Sequence, residues 1–262
     1  MKKIGFVTPW YGETIGGGAE AELRGVVHHL KDAGVELEVL TTCVEKFASD
    51  WNTDYHQPGL TEEAGIPVRR FPVRKRDEAA FGVVNNKLMT GLAVTPAEEE
   101  LFCREMINSP ELYDFMLAHE AEYALYVFIP YMFGTTFYGC QVRPGKSVLI
   151  PCLHDESYAK MRIFQDPFSQ VAGMVFNAEP ERLLAEKLFG TKLWVRVTAM
   201  LLGLLVCYAF GTAWFMFLYA RRTGPIALGT ALGWCVFPFL IPDLVKMCLA
   251  VMLSGRLRKV VQ

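Results

Sequence analysis

KIGFVTPWYGETIGGGAEAELRGVVHHLKDAGVELEVLT, residues 3–41, decides the class of the first part of the chain. Residues 3–8 form a short apolar run, the composition of a buried strand. A Gly-rich turn follows, and a helix is expected from about Gly18, with Leu23, Val26, Val27 and Leu30 at helical spacing. Gly34 lies just past its end, and residues 35–41 alternate as a second strand. Strand, turn, helix and strand make a βαβ unit, which predicts an α/β, Rossmann-like domain with a mostly parallel sheet.

Outward from this unit the same rhythm continues to about residue 190. Strands are expected at 66–73, 123–129, 146–150 and 172–176. Two helices are expected within 96–120, separated at Ser109-Pro110, and a closing helix over 179–189. At 262 residues and a net charge of −2 the chain is one large or two modest domains, with no composition for a nucleic-acid partner. Seven scattered cysteines with no C-x-x-C pair predict buried free thiols, with no zinc site and no disulfide framework. The apolar run of MKKIGFV ends at Thr8-Pro9, too short for a signal peptide.

Two candidate sites fall at the C-terminal ends of these strands. Gly16, Gly17 and Gly18 allow backbone N–H groups to approach an anion at a helix N-terminus, and a plain flexible turn is the competing reading. His154, with Asp155, follows a strand on the side where open α/β sheets bind ligands; a solvated or capping histidine is the competing reading. His28 and His29 are about 100° apart around a helix and read as surface or packing residues. Glu98-Glu99-Glu100 reads as a solvated helix face.

TPWYGETIGGGAEAELRGVVHHLKDAGVELEVLTT, IPCLHDESYAK and VFNAEPERLLAEKLFG together resemble the N-terminal domain of a family 4 glycosyltransferase of the GT-B fold, over residues 1–190. The resemblance implies that Gly16, Gly17 and Gly18 lie near the phosphates of a nucleotide-sugar donor, and that His154 lies beside the transferred sugar. Such enzymes carry a second domain for the donor. The chain leaves the pattern near Gly190, and Glu179 and Glu186 do not replace that domain's glutamate pair.

The last 72 residues differ in kind. Residues 191–262 hold eight Lys/Arg and one acid, Asp243, leaving +7 there and −9 in the rest. Residues 197–220, VTAMLLGLLVCYAFGTAWFMFLYA, carry no charge and are long enough to span a bilayer. Arg196 and Arg221-Arg222 bracket them, and Tyr208 lies mid-span. A short span over 226–236 and a third helix over 239–257 are expected, broken by Pro238 and Pro242 and anchored by RLRK at 256–259. The result is an all-α transmembrane segment of two to three helices.

Asp243 and Lys246, three apart on that third helix, share a face. A charge at mid-membrane costs about 2.5–3.5 kcal/mol on insertion scales, so a functional site is one reading. The other is that Asp243 caps a helix start after Pro242 while Lys246 reaches an interface. LLGLLVCYAFGTAWFMF and ALGWCVFPFLIPDLVKMCLAVMLSGRLRK resemble the C-terminal half of the BioY family of biotin transporters, over residues 192–259. The resemblance implies that Asp243 and Lys246 line a biotin pocket, the lysine pairing with the valerate carboxylate and the carboxylate accepting ureido N–H groups. It also implies energy-coupling-factor subunits or a second copy as partners, with biotin as transported ligand rather than cofactor.

The expected organisation is therefore 1–190 and 191–262, in the plasma membrane with the first domain cytoplasmic. Three readings of function compete: a biotin-uptake component, a membrane-attached glycosyltransferase, and a non-functional hybrid. The last arises because KLFGTKLWVR, residues 187–196, has no linker character.

Overall fold

The computed structural model describes residues 2–190 and 193–261, the side chains at 193–196, 199 and 252–261 excepted. Lys192 and the side chains of Arg196, Arg256, Arg258 and Lys259, expected to flank or anchor the spans, fall outside the described set. The chain forms two compact units, Met1–Gly190 and Thr191–Gln262.

The first unit is a seven-stranded sheet with the order β3-β4-β2-β1-β5-β6-β7. The strands are β1 (Lys3–Val7), β2 (Leu37–Thr42), β3 (Gly59–Glu63), β4 (Ile66–Phe71), β5 (Tyr123–Phe128), β6 (Ser147–Leu149) and β7 (Gly173–Met174). Every neighbouring pair is parallel except β3 with β4. Parallel strands with both faces covered read as continuous apolar runs, and all six residues of β2 are buried. Helix α1 (Gly18–Asp32) turns Leu23 and Val27, one helical turn apart, into the core on one face of the sheet. It closes at Ala33, and Gly34 follows at φ 78°, a left-handed position that glycine takes without strain.

The other face is covered by α2 (Glu78–Met89), α3 (Pro96–Glu105), α4 (Pro110–Ala118), α5 (Gly134–Val142), α6 (Gln165–Gln170) and α7 (Glu179–Phe189). The acidic run at 98–100 is not a uniformly solvated face. Glu98 closes a capping box with Thr95 at the start of α3 and pairs with Lys87 at 2.5 Å. Glu99 is buried and accepts the backbone N–H groups of Arg162 and Ile163 at 3.1 and 2.9 Å. Strand β7 has two residues where five were expected, and β3, α2, α5 and α6 have no counterpart among the elements expected from the sequence.

The second unit is three helices: α8 (Leu193–Arg222), α9 (Leu228–Cys235) and α10 (Phe237–Val261). Within α8, Met200–Arg222 is long and apolar enough to cross a membrane, and only 6% of its most apolar window is buried. A soluble core helix would hide that surface; here Leu202, Val206 and Phe210 face outward, as lipid-facing residues do. Helices α9 and α10 bend by 41° at their junction and together pass the same test as one broken span. The break is at Val236, and α10 then continues through Pro242. Proline at 242 removes one helical N–H bond, a defect that membrane helices tolerate where neighbours cover the backbone.

Candidate ligand site in the helical unit

Asp243 is the one carboxylate of the last 72 residues, and the structure gives it two donors. The Tyr208 hydroxyl on α8 donates to Oδ2 at 2.6 Å, and Lys246 Nζ on α10 donates to Oδ1 at 3.0 Å. Asp243 and Lys246 meet because they are three apart on a helix, one turn around the same face. Tyr208 meets them from the neighbouring helix, so the phenol ties α8 to α10. In a low-dielectric surround such charge-assisted bonds are strong and their loss is costly. The capping reading of Asp243 does not hold: α10 starts at Phe237, so Asp243 is in its second turn. Lys246 is largely exposed, and its ammonium can swing from Asp243 toward an incoming anion.

Beside this cluster the three helices line an open groove of about 510 Å³. That volume falls in the range of small-molecule pockets, roughly 300–1,000 Å³. Its walls are leucine, alanine, methionine and valine from α8, α9 and α10, with Tyr208 and Thr212 as the hydroxyl-bearing residues. Tyr208 therefore belongs both to the groove and to the charged cluster. The sequence reading placed Tyr208 mid-span without a role. The signal was its isolation: a phenol deep in an apolar segment has to find an acceptor, and one carboxylate lay within the same 72 residues.

In the sheet unit, the Gly-rich turn and His154 are both at the C-terminal edge of the parallel strands, after β1 and β6 respectively. Gly17 precedes α1 at φ 143°, a conformation that favours glycine. A Cβ there would collide with the carboxylate of Glu20, which also accepts the Trp10 indole N–H at 2.6 Å. Gly16 lines a cleft of about 530 Å³. That cleft carries the carboxylates of Glu13, Glu45 and Glu63 against the single ammonium of Lys46. Burial and the Arg70 guanidinium hold its His56 below the usual imidazole range, favouring the neutral ring. These carboxylates are already partnered, Glu63 by Arg70, Glu45 by Lys46 and Glu13 by His28, and of the three glycines Gly16 is the one that lines the cleft.

His154 is exposed and does not line that cleft. Two residues before it, Cys152 adopts φ 50°, strained for a side-chain-bearing residue, and its Sγ is 3.4 Å from Glu22 Oε2 on α1. Burial and then Glu22 push the Cys152 thiol up, which keeps it protonated and poorly nucleophilic. Among the described residues no group of three or more His, Cys, Asp or Glu is arranged to hold a metal ion.

The helical unit and its approach segment carry the recognisable signature. Residues 168–262 match the BioY family. The match takes in α8, α9, α10 and the Tyr208–Asp243–Lys246 cluster, and it begins upstream of residue 192, where the sequence resemblance placed the start. Its first residues, 168–190, belong to the sheet unit and include β7 and α7. No curated protein matches the chain.

Proposed function

We propose that the C-terminal part of this chain recognises biotin as part of a membrane uptake system. The observation that carries the reading is the Asp243–Lys246 pair, tied to Tyr208 across two apolar helices, inside the region that matches the BioY family. Biotin has a ureido ring that donates two N–H groups, an apolar bicycle and a valerate carboxylate. Asp243 accepts from the ureido ring, and Lys246 swings to the carboxylate. The apolar groove, which meets the cluster at Tyr208, takes the ring system. Intramembrane charges are rare because they are costly, and a ligand that uses both signs accounts for keeping them. Uptake would draw on energy-coupling-factor subunits or a second copy of the chain.

The test is biotin binding and uptake by membranes carrying the full chain. Saturable binding is expected, with loss on Asp243→Asn and on Lys246→Ala. Saturable uptake that both variants leave unchanged would refute the assignment. The glycosyltransferase reading of residues 1–190 rests on the sequence resemblance alone.

A further inference from the structure

Thr212 lies four residues after Tyr208 on α8, so the two side chains share a helix face about 6 Å apart along the axis. Thr212 lines the apolar groove and is 5% exposed. Its Oγ is sealed from solvent and has no hydrogen-bond partner. In an apolar helix a threonine hydroxyl ordinarily satisfies itself on the carbonyl of residue i−4, here Tyr208, and this one does not. An orphaned hydroxyl on a residue that lines a groove of ligand size is a donor free for something that enters the groove.

We propose that Thr212 is a specificity residue, its hydroxyl donating to the ring sulfur of the bound biotin. The inference rests on the biotin reading above. With the ureido ring at Asp243, the fused bicycle extends along α8 toward the next turn, and its thioether, a weak acceptor, is the polar atom on the far side of the ring system. Threonine in a helix has two accessible χ1 rotamers, so a switch from one to the other, about 120°, turns Oγ into the groove. The surrounding wall is apolar: Leu205, Leu228, Leu232 and Val236 offer the ligand contact but no hydrogen bond. Thr212 would thus distinguish a sulfur-bearing ring from an analogue that lacks it.

The experiment compares equilibrium binding of labelled biotin and labelled dethiobiotin, which has no sulfur, to the full chain in proteoliposomes. Thr212→Val keeps the shape and removes the hydroxyl. It is expected to weaken biotin about three- to tenfold, as loss of one hydrogen bond does, and to leave dethiobiotin unchanged. Thr212→Ser keeps the donor and is expected to stay within about twofold for both ligands. If Thr212→Val leaves biotin affinity intact, or weakens both ligands equally, the proposal is overturned while the biotin reading stands. If the unmodified chain binds no biotin, both fall together. Thr212→Ala carries the same comparison if the valine variant does not insert.

Discussion

Glu38 stitches four neighbouring strands together, and removing it is expected to cost the sheet unit about 3 kcal/mol. It lies on β2 and is 2% exposed. Its Oε2 accepts Lys3 Nζ from β1 at 3.2 Å and the Tyr123 hydroxyl from β5 at 2.9 Å, while Oε1 accepts Arg69 Nε from β4 at 2.7 Å. Glu38→Ala leaves the fully buried Tyr123 hydroxyl without an acceptor, a penalty of about 1–3 kcal/mol. It also removes two charge-assisted bonds, but Lys3 and Arg69 are partly exposed and recover water, which keeps the sum below the ~5 kcal/mol of a sealed pair. Glu38→Gln retains one acceptor oxygen for Tyr123 but turns an NH2 toward Arg69, losing that bond and the charge, and with Arg69 partly exposed about 1–2 kcal/mol is expected. The assay is urea unfolding of the full chain in micelles, read through tryptophan emission, since Trp10 and Trp51 are buried in the sheet unit. With a slope of roughly 1–3 kcal/mol per molar urea, the alanine variant should move the midpoint down by about 1–3 M. A midpoint unchanged in Glu38→Ala, or a glutamine variant less stable than the alanine one, would refute the account.

Three further outcomes are expected. Burial works to raise the Glu105 carboxyl, but bonds from Arg104, the Asp77 N–H and Arg74 outweigh it and hold the group at about 2, against an ordinary 4.5. A depressed carboxyl stabilises the fold above its unfolded value and stops doing so as pH falls through the folded one. Unfolding between about pH 4.5 and 2 should therefore be less pH-dependent in Glu105→Gln, as acid titration of stability will read. Gly134→Ala drives a Cβ to 2.7 Å from the Ile107 carbonyl oxygen and 2.8 Å from Asn108 Cβ, so about 1–3 kcal/mol of overpacking should appear in the same urea assay. Cys207 and Cys248 are exposed on α8 and α10; in bilayers they should resist a charged maleimide and react once detergent denatures the unit, and ready labelling in intact vesicles would contradict the membrane reading.

The βαβ start was legible because its periodicities are local: β1, α1 and β2 each repeat their apolar residues at the spacing of their own element. β3 was not, since GLTEE is mostly exposed and shows no apolar alternation; it is a strand because it pairs with the edge of β4. α2 and α5 were hidden by weak amphipathic patterns, and α5 buries small residues such as Thr135, Thr136 and Gly139 rather than an aliphatic stripe. At the helical unit, length and charge gave α8, and i, i+3 spacing brought Asp243 to Lys246. Tyr208 and Thr212 joined the site through packing between helices, a relation that no single-helix periodicity encodes.

The two ways of dividing the chain disagree, and the disagreement has a physical content. Contacts separate the units at Gly190, whereas the BioY match begins at residue 168. The segment between is not a tether to the helices but part of the sheet unit's core. Phe168 stacks on Phe164 at 5.1 Å between ring centroids and meets Phe189 edge-on at 5.4 Å, and Ala185 is buried in the same cluster. Glu181 on α7 accepts the backbone N–H groups of Leu153 and Asn177, each at 2.8 Å, closing the loops after β6 and β7. Cutting at residue 168 to isolate the matched region would strip these aromatics from one core and expose them on the other piece. Cutting at 190 would leave part of the matched region behind. The first cut breaks the sheet unit's core and the second divides the matched region, so biotin binding and the Thr212 selectivity test belong on the full chain.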